Sequence, residues 1–132
     1  MGARLEAYFE KRRPVANITE DELPTSAGVY VWYRNSEPIF IGTTGNLQKR
    51  VFFEHIARAG APMSSALRRV AASTLGYGTP SDLRSGRRLL TAAEATAVEA
   101  WLREGSVSWH SFSEETEALK AAAELRNQLD HL

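Results

Sequence analysis

Residues 27–55 read AGVYVWYRNSEPIFIGTTGNLQKRVFFEH, and this stretch decides the predicted fold of the 132-residue chain. It contains two runs rich in β-branched and aromatic residues, separated by the polar segment RNSEP. Such runs around a short turn are typical of a β-hairpin, so the pattern predicts antiparallel strands at 28–34 and 38–43.

A polar loop and a helix start follow the predicted hairpin. Thr43-Thr44-Gly45 forms the loop, and Asn46 can cap a helix that we expect to run to about residue 59. Backbone N–H groups at a helix start favour negative charge, and Arg50 adds an always-charged guanidinium in the first turns of this helix. The sequence therefore predicts an anion-binding site here, with Thr43 and Asn46 among its contacts.

The rest of the chain predicts further helices and one more strand. Apolar periodicity and capping signals predict helices at 3–13, 63–75, 91–104 and 113–129, a loop at 76–86, and a strand with one buried face at 107–112. The three strands, of which the last could join either edge, predict an α+β domain with a small three-stranded antiparallel-type sheet flanked by helices. We divide the chain into an N-terminal helical extension, 1–24, and one domain, 25–132.

Composition excludes several kinds of site and of protein. The chain has no cysteine, which excludes disulfides, thiolate metal sites and thiol nucleophiles. No apolar run approaches the roughly 18 residues of a membrane span, and the N-terminus does not have the pattern of a secretory leader. We therefore expect a cytoplasmic protein that does not enter a membrane.

Charge is distributed unevenly along the chain although the net charge is zero. Residues 61–90 hold five arginines against one acidic residue, whereas residues 91–132 hold eight acidic residues against three basic ones. A basic segment of this kind can bind the phosphate backbone of nucleic acid, and Arg68 and Arg87 are our candidate contacts. Ordinary solvated surface charge is the competing interpretation.

Three motifs in the opening stretch resemble the GIY-YIG family of nucleases. The first is Gly28-Val29-Tyr30, the second is Phe40-Ile41-Gly42, and the third is Arg50, which follows Phe40 by ten residues within Asn46-Leu47-Gln48-Lys49-Arg50. The joint occurrence of the three at this spacing is more specific than any one of them alone. The resemblance covers roughly residues 25–132 and implies the small GIY-YIG-like α+β fold.

The resemblance implies an endonuclease that hydrolyses phosphodiester bonds of DNA with one Mg²⁺ or Mn²⁺ ion. By this resemblance Tyr30 would position or deprotonate the attacking water, Arg50 would hold the scissile phosphate, and Gly42 would let the substrate approach the backbone. Glu117 is the glutamate nearest to the family's metal-binding position on the last helix. His55 is a further candidate, as a proton carrier near neutral pH.

The chain also departs from the family's pattern. Phe40 lacks the hydroxyl of the second tyrosine, Ala118 occupies the expected glutamate position, and Asp130 replaces an asparagine. The alternative function is therefore a catalytically impaired module that binds nucleic acid or a protein partner. A third possibility, chemistry on a small anionic substrate, stays open because fold does not fix function.

Overall fold

The computed structural model describes residues 12–56 and 66–129, with side chains described as far as Phe52 in the first range. Along these ranges lie strand β1 (Arg13–Pro14), two short 3-10 helices (Val15–Asn17 and Glu20–Glu22), strands β2 (Ala27–Arg34) and β3 (Glu37–Thr44), a π-helix (Gln48–Ile56), helices α1 (Ala66–Thr74), α2 (Pro80–Ser85) and α3 (Ala92–Arg103), strand β4 (Ser106–Phe112) and helix α4 (Glu115–Gln128). The helix predicted at 3–13 lies outside the described residues except for its last two positions, and Arg13 belongs to a strand.

The strands form one antiparallel sheet in the order β1-β4-β2-β3. Strand β2 lies between two neighbours, and its Tyr30 pairs with Gly42 of β3 on one side and with Trp109 of β4 on the other. The predicted α+β class, antiparallel hairpin and third strand are confirmed. The described sheet has four strands and not three, because Arg13 and Pro14 add a short strand to the outer edge of β4.

The hairpin between β2 and β3 closes with the two-residue turn Asn35-Ser36. Both residues have positive φ, 52° and 68°, which the tightest hairpin turns require. The pairing register of β2 and β3 shifts between Trp32 and Tyr33, where one extra residue of β3 forms a β-bulge. Turn and bulge together place Tyr30 opposite Gly42, and this pair is central to the site described below.

Packed elements cover both faces of the sheet. On one face Tyr30 and Trp32 pack in a core that includes residues of the π-helix, α1 and α3, and on the other Val31 packs beneath α4. The prediction of one buried face for the strand at 107–112 is wrong. Val107 and Ser108 point to opposite faces and both are buried, because each face has its own cover.

The segment before β2 packs into the first of these two cores. Val15, Ile18 and Leu23 are buried there. Arg13 donates two hydrogen bonds to the carboxylate of Glu22, at 2.7 and 3.0 Å, and these bonds hold the pKa of Glu22 below its ordinary value. The described part of the predicted 1–24 extension therefore shares the sheet and the core with the rest of the chain.

The loop predicted at 76–86 contains a helix, so this prediction is wrong for the residues of α2. Thr79 caps α2, because its hydroxyl oxygen accepts the backbone N–H of Asp82 at 3.1 Å, and Pro80 occupies the first helical position. Gly86 ends the helix with φ of 85°. Thr-Pro before a short run that ends in glycine is a helix signal, but three glycines in this segment obscured it.

Helix α3 begins with the predicted capping box. The Thr91 hydroxyl oxygen accepts the N–H of Glu94 at 3.1 Å, and the Glu94 carboxylate accepts the N–H of Thr91 at 2.9 Å. Arg88 donates two further hydrogen bonds to this carboxylate, at 3.0 and 2.8 Å. The bonds from Arg88 and then from Thr91 lower the pKa of Glu94 to about 2.

We expect this carboxylate to make stability depend on pH in the acid range. Because the pKa of Glu94 is lowered from 4.5 to about 2 on folding, its contribution is fully present above pH 4.5 and is lost as the pH falls towards 2. In urea denaturation, Glu94→Gln should have a lower free energy of unfolding than the wild type at neutral pH. This difference between the two proteins should vanish near pH 2. Glu124→Gln, at an exposed position of α4, is the control. A difference that does not change with pH would contradict this expectation.

Candidate functional site

A pocket of about 380 Å³ lies where β3 ends, between the first turn of the π-helix and the start of α4. It is lined by Thr43, Thr44, Gly45, Asn46, Lys49, Arg50 and Glu115. Because Gly45, Lys49 and Glu115 are exposed, the pocket opens to solvent. The structure thus brings together three residues that the sequence predicted for an anion site, namely Thr43, Asn46 and Arg50.

Side-chain hydrogen bonds fix the loop that forms one wall of the pocket. The Thr44 hydroxyl accepts the N–H of Asn46 at 3.1 Å and lies 3.2 Å from the carbonyl oxygen of the same residue. The Asn46 side-chain oxygen accepts the N–H of Lys49 at 2.9 Å, as expected of a helix cap. These short-range contacts hold Lys49 and Arg50 at the pocket.

The backbone N–H groups of the first helical turn already have partners within the protein. The N–H of Leu47 bonds to the carbonyl oxygen of Ser26, and that of Gln48 to the carbonyl oxygen of Pro24, each at 2.9 Å. With the N–H of Lys49 bonded to the cap, this turn has few amides to offer an anion. An anion in this pocket would therefore be held by side chains, and not by the backbone amides that the sequence pattern indicated.

Tyr30 lies in the core, where its side chain is 1% exposed. Its ring covers Gly42 on the neighbouring strand, and its centroid is 6.2 Å from that of Phe40. A Cβ at position 42 would overlap the ring, so the absent side chain of Gly42 makes room for Tyr30. Gly42 is itself buried and does not offer open backbone to a substrate. Neither residue is among those that line the pocket with Arg50.

The two arginines predicted to contact nucleic acid lie in different surroundings. Arg68 is 1% exposed on α1, so its side chain is in the interior and does not form part of a basic surface. Arg87 is exposed just after α2, where its Nε lies 3.2 Å from the carboxylate of Asp82. Neither lines the pocket. The side chain of His55 lies outside those that the structure describes.

The side chain of Glu117 makes two hydrogen bonds at the start of α4. Its carboxylate accepts the Ser113 hydroxyl at 2.7 Å and the N–H of Glu114 at 3.2 Å, which completes a capping box. Within 12–56 and 66–129, no group of three His, Asp or Glu side chains is placed to hold a metal ion. The hydrogen bonds of Glu117 are therefore those of a helix cap, and the divalent ion that the resemblance implies stays a prediction. Ala118, where the resemblance implies a glutamate, is buried against the sheet.

Two charged residues of the pocket, Lys49 and Glu115, were missed by reasoning from the sequence. Lys49 follows Asn46 at helical spacing and adjoins Arg50, so the local pattern was sufficient to find it. Glu115 comes from the far end of the chain, and nothing in the sequence separates it from Glu114 and Glu117. Its carboxylate reaches the pocket because Gly45 leaves room: a Cβ at Gly45 would lie 3.2 Å from its Oε1.

Comparison of the chain with models of protein families, with curated proteins and with solved structures finds no match in any of the three. Over the described ranges, no helix has the length and apolar character that crossing a bilayer requires. The functional conclusion therefore depends on the geometry of the pocket itself.

Proposed function

We propose that the chain binds the phosphate backbone of DNA at the pocket between β3 and α4. The observation that carries the proposal is the convergence of Lys49 and Arg50 on one solvent-open pocket beside the hydroxyl of Thr43. A guanidinium presents planar paired donors that match two phosphate oxygens, and an ammonium adds a compact positive charge. Contacts of this kind recognise the phosphate and not the base, so we expect binding with little sequence preference.

Binding without hydrolysis is our leading form of the proposal. Tyr30 is buried beneath packed residues and Glu117 is engaged at a helix start, so neither is at the surface of the pocket that contains Arg50. Phe40 has no hydroxyl to contribute. These contacts support the catalytically impaired module more than the nuclease, with nucleic acid as its partner.

Hydrolysis is the second candidate, and the position of Glu115 favours it. A carboxylate in the same pocket as a phosphate-binding arginine can accept a proton from an attacking water, while Arg50 stabilises the charge that develops on the phosphate. The involvement of Mg²⁺ or Mn²⁺ stays a prediction. Among the described residues, no three His, Asp or Glu side chains are grouped so that they could hold a metal ion.

We expect Lys49→Ala and Arg50→Ala each to weaken DNA binding about tenfold at low salt, because hydrogen bonds to charged groups contribute about 1.5–3 kcal/mol. Fluorescence anisotropy with a short labelled DNA over a salt series measures this effect. Each substitution should also reduce the slope of log K against log salt by about one. Lys120→Ala, an exposed cation of α4 away from the pocket, is the matched control. Equal affinity of all four proteins would overturn the proposal.

A nicking assay separates the two candidates. Supercoiled plasmid is incubated with the wild type, Arg50→Ala and Glu115→Gln, with and without Mn²⁺. Binding without nicking supports the leading form. Nicking by the wild type that is lost in both variants supports hydrolysis instead, and the comparison with and without Mn²⁺ shows whether a metal takes part.

A further inference from the structure

We infer that Arg126 keeps the protein monomeric by blocking the outer edge of β3 against pairing with a second copy of the chain. Strand β3 is the last in the order β1-β4-β2-β3, so among the described strands it has a neighbour on one side only. The other side of an edge strand presents backbone N–H and C=O groups that can pair with a strand of another molecule. The inference concerns assembly and does not depend on the proposed DNA binding.

The hairpin turn determines which residues of β3 direct their backbone groups outward. The two-residue turn joins Arg34 to Glu37, and the pair that closes such a turn is hydrogen-bonded across the two strands. Antiparallel pairs alternate between hydrogen-bonded and non-hydrogen-bonded, so the next pair, Tyr33 with Pro38, is non-hydrogen-bonded. Proline fits this position because its nitrogen has no hydrogen to donate and would face away from β2.

Ile41 and Thr43 are the residues that face outward beyond the β-bulge. The bulge sets two residues of β3 against one of β2, and the alternation then makes Ile41 and Val31 a non-hydrogen-bonded pair. An independent contact agrees with this, because the Ile41 carbonyl oxygen accepts a hydrogen bond from Nη2 of Arg126 at 2.8 Å. Thr43 lies two residues further in unbroken register, so its N–H and C=O groups face the same way.

The packing of α4 places Arg126 at this edge. Leu125 is buried in the core between α4 and the sheet, to which Ile41 also contributes, and Arg126 is the exposed residue that follows it. The guanidinium therefore passes from the helix to the rim of the sheet and occupies the carbonyl oxygen of Ile41. A strand that approached this edge would lose an acceptor and would meet a cation, which is one of the ways in which proteins prevent pairing between edges.

The two edges of the described sheet differ in how much backbone they offer. Strand β1 has two residues and ends in Pro14, so it presents little for another strand to pair with. Strand β3 has eight residues, and Pro38 removes a donor only near its start. The segment around Ile41 and Thr43 is thus the part of this edge that needs a further obstacle.

A second copy of the chain is the partner that this segment fits. If two β3 strands pair antiparallel about Gly42, Ile41 of one copy lies opposite Thr43 of the second copy. Each outward N–H then meets an outward C=O, because both residues direct both groups to the same side. The edge is therefore self-complementary, as a twofold interface requires.

The test measures the mass of the full chain by sedimentation equilibrium over a series of protein concentrations. The wild type should stay monomeric, whereas the mass of Arg126→Ala should approach twice that of the monomer as concentration rises. Arg126→Lys keeps a cationic donor and should stay monomeric. Lys120→Ala removes the same charge from another exposed position of α4 and is the matched control, which should also stay monomeric.

Hydrogen exchange identifies the surface through which Arg126→Ala associates. The amide of Thr43 should exchange about tenfold more slowly in the associated variant than in the wild type, because strand pairing gives this N–H a partner. Urea denaturation checks that the variant is folded, and a folded Arg126→Ala that stays monomeric at every concentration would overturn the inference. A dimeric wild type, association of Lys120→Ala, or association of Arg126→Ala with unchanged exchange at Thr43 would overturn it as well.

Discussion

Gly42→Ala is expected to lower the free energy of unfolding by about 3 kcal/mol, as overpacking of a well-filled core does. A methyl group at this position would overlap the ring of Tyr30, which lies across it from the adjacent strand. To remove this overlap, either the ring leaves its position in the core or the two strands separate. Either movement loses contacts of the folded state. Urea denaturation followed by tryptophan fluorescence measures the loss.

A double-mutant cycle with Tyr30→Leu identifies the cause. Leucine removes the ring that the new methyl group would meet, so Gly42→Ala should cost less than about 1 kcal/mol in that background, a coupling of about 2 kcal/mol. Gly45→Ala is the control, since a Cβ there meets the end of the exposed Glu115 side chain, which can move. Full stability of Gly42→Ala together with loss of DNA binding would instead support the substrate contact that the family resemblance implies.

Trp32→Ala is expected to lower the free energy of unfolding by about 4 kcal/mol, within the range for truncating a buried aromatic residue. Trp32 is 1% exposed in the core beside α3, and its indole N–H donates to the carbonyl oxygen of Leu102 at 3.2 Å. The change removes the largest side chain of this core and leaves a cavity. A loss of this size is a large part of the stability of an ordinary domain, so the variant should unfold at a much lower urea concentration.

Two further tryptophan variants separate packing from hydrogen bonding. Trp32→Phe keeps most of the volume and loses the indole donor, but the Leu102 carbonyl still accepts the N–H of Gly105 at 3.2 Å, so we expect a loss of about 1 kcal/mol. Trp101→Ala is the matched control on α3, where the half-buried ring packs at the edge of the same core and lies against the Arg34 guanidinium. Its loss should be clearly smaller than that of Trp32→Ala, because less of its ring is removed from solvent. Equal losses for Trp101→Ala and Trp32→Ala would contradict the assignment of Trp32 to the core.

Two glycines of the family-like motifs are explained by packing alone. A Cβ at Gly28 would lie 2.9 Å from Cγ of Leu47 and 2.5 Å from the carbonyl oxygen of His110, and Gly42 makes room for Tyr30. Glycine at these two positions lets the strands and Leu47 pack closely together, and this packing does not depend on any catalytic activity. The motifs therefore indicate how the strands pack more directly than they indicate hydrolysis. The GIY-YIG resemblance itself stays a prediction.

The elements that could be predicted have signals that are local in sequence. The strands of the hairpin, the strand at 106–112 and the capping box of α3 each follow from residues within a few positions of one another. Strand β1 has two residues, too few for any periodic pattern, and it exists because β4 offers an edge. Helix α2 was missed because its glycine-rich flanks outweighed its Thr-Pro start.

The candidate site shows the same difference between positions set by local sequence and positions set by tertiary packing. The sequence by itself determined that Thr43, Asn46 and Arg50 lie together, because a loop and a helix start bring near neighbours to one place. Only the tertiary structure decided that Glu115 joins them, that Arg68 is interior and that Tyr30 is covered. The physical reason is that these positions depend on how α4 and the other helices pack against the sheet, and that packing is set by side chains distant in sequence, such as Ala118 beneath the strands.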